Sequence, residues 1–261
     1  TQKTATEELR ELFATQVLDS ERLTTVLRLI AETNEHQKSA TKKELVRAII
    51  VLAEVFEEKL VEYFPKIIAI IARRLKEDDP QVNVASAETT KALISTCLKG
   101  LSAEQFTEQV DMMLKAYLAL FPKTGKFTQK GAAMCIAKII QTSPIECVFE
   151  LSDEILQRLT EIIKWPTCKA HLQILEALLS LISATEDNPD KLGQIFEAVF
   201  PVVMSNFEHA DWNVRKICVE IMYAFNIFTP GLVMSNKEAI VEVLDKLRTD
   251  EVKFLVAEYS K

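Results

Sequence analysis

The feature that most constrains the fold is a sequence pattern that returns every 38 to 48 residues. Each copy has a polar turn followed by a helical stripe rich in small residues, and the copies begin at positions 41, 79, 127, 166 and 211, with a truncated one at 250. Bulkier helical patterns lie between the copies, at 60–76, 103–121, 148–164, 191–208 and 236–248. Apolar residues recur at i, i+3 and i+4, as in Val214, Ile217, Cys218 and Ile221, which is the spacing of one helix face. One pair of helices cannot bury such a face alone, so the pairs are predicted to stack.

Successive copies are separated by 38, 48, 39, 45 and 39 residues, which is the period of HEAT and armadillo repeats. A partial leading pair at about 6–18 and 20–34 completes the array. Only five glycines occur in 261 residues, too few for a fold built on tight β-turns or phosphate-binding loops. The sequence therefore predicts an all-α fold, a HEAT-repeat α-solenoid of about six helical hairpins that forms a single domain over residues 1–261.

The composition limits the kinds of partner and the cellular compartment that can be expected for this protein. The net charge of −7 argues against a nucleic-acid-binding protein, which would normally be basic. No apolar stretch reaches the roughly 18 residues of a membrane span, and the first 20 residues do not resemble a secretory leader. The five cysteines form no C-x-x-C pair and are predicted to be buried, reduced thiols of a cytoplasmic protein.

Motifs that suggest catalysis are isolated. Ser39 and Lys42 match S-x-x-K, and 123–125 matches the K-T-G of serine β-lactamases, but that second motif needs a strand and here falls in a turn between helices. The histidines at 36, 171 and 209 have no partner at metal-ligand spacing, and Asp78 and Asp79 are interpreted as solvated residues at a helix end. The sequence predicts no catalytic residue, no metal, no cofactor and no small-molecule substrate, so the protein is expected to bind rather than to catalyse.

Charge is sorted between the two edges of the predicted stack. Turns alternate between the edges, so every second turn shares a surface. The turns that pass from one hairpin to the next carry +5 in total, and the turns within hairpins carry −7. The basic residues of the first set define the basic edge: Lys38, Lys42, Lys43, Lys123, Lys126, Lys130, Lys164, Lys169, Arg215 and Lys216. Phe127, Trp165 and Trp212 lie beside them in the sequence.

Two interpretations of the basic edge stay open. Helix starts could have collected lysines for solubility alone, with the tryptophans filling seams between repeats. Cations at a helix N-terminus, however, oppose the macrodipole at a small cost. An acidic macromolecular partner would explain that cost, and complementary charge would speed and orient the encounter.

Four segments carry a family resemblance: 66–82, 129–138, 211–216 and 247–253. Together they resemble the N-terminal helical-repeat domain of the plant tortifolia/spiral-two class of microtubule-associated proteins. The resemblance implies a TOG-like domain that binds tubulin or the microtubule lattice, influences microtubule dynamics or organisation, and resides on the cytoplasmic cytoskeleton. Because tubulin is strongly acidic, the implied partner agrees with the basic edge.

The chain departs from the tubulin-polymerase class of TOG domains, which grip tubulin through turns within each hairpin. Those turns are acidic here and hold no tryptophan, and their only basic residues are the alternative contact set on the opposite edge: Lys59, Lys99, Lys191 and Lys237. Lattice binding, or binding that needs a basic segment outside the given sequence, is therefore favoured over capture of free tubulin. A generic protein-interaction scaffold, of the adaptor, phosphatase-subunit or transport-receptor type, is the alternative function.

Overall fold

The chain is built of helices joined by short turns. A computed structural model describes residues 7–8, 10–13, 20–32, 38–122 and 125–247. The helices are α1 (Ser20–Glu32), α2 (Ser39–Phe56), α3 (Phe64–Leu75), α4 (Pro80–Ala92), α5 (Ala103–Leu118), α6 (Lys126–Thr142), α7 (Ile145–Ile162), α8 (His171–Ala184), α9 (Pro189–Asn206), α10 (Trp212–Phe228), α11 (Pro230–Ser235) and α12 (Lys237–Leu247). A 3-10 segment, Glu57–Tyr63, precedes α3, and a π-helical segment, Leu93–Cys97, follows α4. No strand occurs among the described residues, and the predicted all-α fold is confirmed.

Local capping explains where several helices begin. Asp79 accepts hydrogen bonds from the backbone amides of Gln81 (2.8 Å) and Val82 (3.4 Å), and Pro80 occupies the first turn of α4. Asp211 accepts from the amide of Asn213 at 3.0 Å in the same way at the start of α10. Both aspartates are therefore the N-cap residues of their helices. The start of α5 carries a reciprocal capping box, which the sequence analysis did not identify.

Predicted and observed boundaries differ most in the second half of the chain. The copy that begins at 166 is a turn as far as Ala170, and α8 begins only at His171, because the Cys168 amide donates to the Trp165 carbonyl at 2.9 Å and closes a turn there. The short helix α11 was not predicted, because Pro230 and Gly231 are residue types typical of turns and loops. The sixth copy, from 250, lies outside the described residues.

The chain divides into two compact units, with the boundary between Glu150 and Leu151 inside α7. Each unit is described separately below. The single domain expected over 1–261 stays a prediction.

Unit 1 is a two-layer stack of helices. In layer B, α2 packs along α4 and α4 along α6; in layer A, α1 contacts α3 and α3 contacts α5. The helices of layer B are in much more extensive contact, because small buried residues such as Ala85, Ala132 and Ala133 let their backbones approach. Gly131 has no space for a side chain: a Cβ there would lie 2.5 Å from Asn83 Oδ1 and from Leu75 Cδ2. The small-residue stripe of the repeat therefore marks the tightly packed layer.

Unit 2 has the same hairpin order. Helices α8 and α10 pack side by side, α9 packs against both, and α11 links α10 to α12. An aromatic cluster holds α9 to α10: the Phe196 ring stacks on Phe200 at 5.0 Å and meets the edge of Phe225 at 4.9 Å. Among the described residues no helix combines the length and the apolar character needed to cross a bilayer.

All five cysteines are buried and free, as predicted. Burial raises the pKa of Cys97, Cys135 and Cys218 to about 12, and it also raises the pKa of Cys147 and Cys168. Because the thiolate is the reactive form, a raised pKa leaves each group as a neutral thiol near pH 8. We expect Ellman's reagent to titrate no thiol in the native protein at pH 8 and five after unfolding in guanidinium chloride. Fast reaction of any thiol in the native protein would contradict the burial.

Candidate protein-binding surface

The N-termini of the layer B helices meet along one edge of unit 1. Asp78 Oδ1 accepts hydrogen bonds from the backbone amides of Phe127 (2.6 Å) and Thr128 (2.9 Å), at the start of α6. Asn83 of α4 donates from Nδ2 to the Phe127 carbonyl at 2.6 Å. These bonds tie the turn before α4 to the first turn of the next layer B helix, so the start of α6 is satisfied partly by its neighbour in the stack.

A second carboxylate of this turn is held inside the stack. The Glu77 carboxylate accepts a 2.6 Å hydrogen bond from Arg74 Nη1, and the Lys42 ammonium of α2 lies 3.0 Å from its other oxygen. The Arg74 side chain is fully buried and donates from Nη2 to the Ile30 carbonyl of α1 at 2.6 Å. One acidic side chain thus joins α2 to α3, and its arginine partner joins α3 to α1.

The carboxylate of Asp79, the third acidic residue of this turn, also accepts hydrogen bonds. Burial alone would raise the pKa of Asp79, but hydrogen bonds from Ser39 and from the amides of Gln81 and Val82 outweigh it and lower that pKa. Asp78 is exposed and Asp79 is half-buried, so both remain in contact with solvent, but each carboxylate also caps a helix. Asp78 adopts a left-handed conformation, with φ of 58°, and in that position its carboxylate caps α6.

The basic-edge lysines of unit 1 fall into two groups. Lys42 is only 9% exposed and belongs to the Glu77 cluster, and Lys43 lies 3.8 Å from Glu44 within its own helix. The Lys38 and Lys126 side chains are exposed, and Lys130 is half-buried. Lys126 Nζ lies 5.8 Å from the centre of the Phe127 ring. Lys123 lies outside the described residues.

Lys76 is an exposed cation of the same turn that the sequence analysis left out. Three acidic residues follow it, so that stretch looked net acidic. Of these acids only Glu77 is bound by buried cations, Arg74 and Lys42, whereas Asp78 is exposed and Asp79 is half-buried. Lys38, Lys76 and Lys126 make no ion pair with any residue that the structure describes.

The basic-edge residues of unit 2 are placed differently. Lys164 and Lys169 are exposed. Arg215 donates from Nη1 to the carbonyls of His209 (2.7 Å) and Ala210 (3.2 Å), and Lys216 pairs with Glu220 at 3.2 Å on its own helix. Arg215 therefore fixes the turn before α10.

Two histidines that the sequence suggested were solitary are in contact. The rings of His171 and His209 lie 4.8 Å apart between centroids, at the starts of α8 and α10. Burial, with the charges of His209 and Lys169, lowers the pKa of His171. Trp212, next to this pair in the sequence, is 41% exposed, so it does not fill a seam between repeats.

The alternative contact set on the opposite edge is split between the units. Lys59 and Lys99 of unit 1 are exposed. In unit 2, Lys237 is exposed, whereas Lys191 is half-buried and donates to Asp153 at 2.7 Å. Within the described ranges no group of three or more His, Cys, Asp or Glu side chains is arranged to hold a metal ion. The geometry offers exposed cations on a rigid helical frame, an arrangement suited to macromolecular contact.

Sequence comparison gives one family and several relatives. The profile of the family described as TORTIFOLIA1 N-terminal matches residues 1–258. The chain is 25% identical to the Arabidopsis thaliana microtubule-associated protein TORTIFOLIA1 over 91% of its length, and 26% identical to A. thaliana TORTIFOLIA1-like protein 2 over 90%. It spans 27% and 28% of those two proteins, respectively.

Comparison with solved structures supports the repeat architecture. An engineered protein matches 93% of the chain, and 96% of its own length is covered, with a TM-score of 0.57 at 17% identity. A designed armadillo repeat protein in complex with a (KR)4 peptide matches 91% of the chain and is covered over 96%, with a TM-score of 0.55 at 14% identity. At these identities the likeness concerns the fold, a helical-repeat solenoid.

Proposed function

Because this chain belongs to the TORTIFOLIA1 N-terminal family, we propose that it is a microtubule-binding helical-repeat module and acts by binding rather than catalysis. The name of its relative TORTIFOLIA1 supports a microtubule-associated role on the cytoskeleton. The observation that carries the proposal is the set of exposed lysines on one edge of unit 1. Lys38, Lys76 and Lys126 face solvent there, and the Glu77 carboxylate of the same edge is bound by Arg74 and Lys42.

We further propose that the partner is the acidic surface of tubulin within the microtubule lattice, reached through the basic edge of unit 1. Lys38, Lys76 and Lys126 are exposed there and make no ion pair with a described residue, so they lose no existing partner on binding. Charge pairs of this kind mainly raise the encounter rate and set orientation, and salt weakens them. The opposite edge is the less favoured contact because its turns are acidic overall.

We expect the double variant Lys38→Glu, Lys126→Glu to bind polymerised microtubules roughly tenfold more weakly than the parent at low salt. Both side chains are exposed, and a glutamate in the first turn of α6 suits the helix dipole, so the fold should persist. The measurement is co-sedimentation with stabilised microtubules across a salt series, with circular dichroism to check folding.

The matched control is Lys59→Glu, Lys99→Glu, which makes the same charge change at exposed positions of the opposite edge. This control should pellet like the parent. If the control loses binding and the first variant keeps it, contact runs through the turns within hairpins, as in the polymerase class. If the parent does not pellet above background at low salt, the microtubule proposal fails for this chain and the scaffold function becomes the better explanation.

A further inference from the structure

A groove of about 450 Å³ opens between α1 and α3, on layer A of unit 1. Its floor includes Leu27, Ala69 and Ile70, and its rim carries the cations Arg28, Lys66 and Arg73. None of these six residues belongs to the basic edge. The groove is thus a surface separate from the basic edge, and it has an apolar floor between positively charged side chains.

The walls of the groove are fixed by buried contacts. The buried Arg74 guanidinium donates to the Ile30 carbonyl at 2.6 Å and so holds the C-terminal half of α1 against α3. Leu27 and Ile70 are buried beneath the opening. Ala69 is exposed, and its short side chain leaves the space that a larger residue would fill. A preformed apolar cleft of this kind binds a ligand at a lower ordering cost than a mobile surface does.

Among the described residues the rim cations Arg28, Lys66 and Arg73 form no ion pair. Helix α3 contains no carboxylate, and Lys66 and Arg73 are exposed on it. Lys66 Nζ lies 5.8 Å from the Tyr63 ring centre, which does not neutralise it. On α1, Glu32 lies one turn beyond Arg28, but the two form no ion pair in the described chain. Glu77 at the end of α3 is already bound by Arg74 and Lys42.

The spacing of the cations indicates the form of the occupant. Lys66 and Arg73 are seven residues apart on one helix, a rise of about 10 Å. An acidic helix lying along α3 would match this with carboxylates at positions i and i+7 and would place apolar residues i+3 and i+4 over Ala69 and Ile70. We propose that the α1–α3 groove binds an acidic amphipathic helix of a partner protein.

The test uses the whole chain and a defined probe. The probe is a fluorescein-labelled helical peptide of 14 residues with glutamates at i and i+7 and leucines at i+3 and i+4. Its binding to the protein is measured by fluorescence anisotropy. We expect binding that weakens with salt and is lost when the glutamates become lysines or the leucines become serines. The double variant Lys66→Glu, Arg73→Glu should bind at least about fivefold more weakly. The matched control Lys91→Glu, Lys99→Glu makes the same charge change at two exposed residues outside the groove and should bind like the parent.

Each outcome decides between this groove and another explanation. No binding of the probe, equal binding of the lysine peptide, or unchanged affinity of the double variant would overturn the proposal. Failure to bind the probe, combined with pelleting on phosphatidylserine vesicles that Lys66→Glu, Arg73→Glu abolishes, would reassign the surface to anionic lipid. Microtubule pelleting of that double variant should equal the parent's, so this proposal and the microtubule proposal can fail independently.

Discussion

Replacing Glu77 by glutamine is expected to lower the free energy of unfolding by about 3–5 kcal/mol, the usual cost of breaking a buried ion pair. Glutamine keeps the size of the side chain and can still accept a hydrogen bond, so the change removes mainly the charge. Arg74 is a fully buried cation, and Lys42 is nearly buried. Without the Glu77 carboxylate Arg74 loses its charged partner, and Lys42 keeps only the nearby Asp79 as an opposite charge. The measurement is chemical denaturation followed by circular dichroism.

The control is Asp111→Asn, which removes the carboxylate of the exposed Lys115–Asp111 pair, 2.6 Å apart on α5. That change is expected to cost less than about 0.5 kcal/mol, because exposed helical pairs are weak. A Glu77→Gln variant as stable as the control would show that the cluster contributes no stability. In that case the contact from Arg74 to the Ile30 carbonyl would have to account for the burial of the guanidinium.

The repeat architecture was predictable because it depends on local information. Helix periodicity, N-caps such as Asp79 and Asp211, and small residues at tightly packed positions are each visible within a few residues of sequence. Their recurrence at one period then predicts stacking. A polar turn was predicted from 166, but the residue at which α8 begins was not, because the turn through Trp165 and Cys168 is closed by a backbone hydrogen bond that does not depend on residue type.

The charge pattern was harder to predict, because the effect of a carboxylate depends on where its side chain points. Asp78 and Glu77 were counted as negative charges on the basic edge, whereas one caps the neighbouring helix and the other pairs with Arg74 and Lys42. Their partners lie in adjacent repeats, about 35 to 50 residues away except for Arg74, a separation at which single-sequence patterns carry no pairing signal. The contact between His171 and His209 was missed for the same reason. A sequence tally of edge charge in a stacked fold therefore counts acids and cations, such as Glu77 and Lys42, that pair with each other between repeats.

Replacing Gly131 by alanine is expected to destabilise the protein by about 1–3 kcal/mol, the range for overpacking a filled core. Alanine in a helix interior normally improves stability over glycine, so the expected sign is reversed here. The added Cβ would lie 2.5 Å from Asn83 Oδ1 and from Leu75 Cδ2, and both side chains are buried. Asn83 cannot easily move, because its amide donates to the Phe127 carbonyl at 2.6 Å.

The matched control for that reversal is Gly193→Ala in α9, where a Cβ would have no atom within 4 Å. There the same substitution is expected to stabilise the protein by about 0.5–1 kcal/mol. Alanine has a higher helix propensity than glycine, and it reduces the conformational entropy of the unfolded chain. Thermal and chemical denaturation of both variants give the comparison. If Gly131→Ala stabilised the protein as Gly193→Ala should, α4 and α6 would have room to separate. The close approach of the layer B helices would then result from the small-residue stripe without being required for the stack. Opposite signs would instead show that the buried side chains of Asn83 and Leu75 leave no room for a methyl group at position 131.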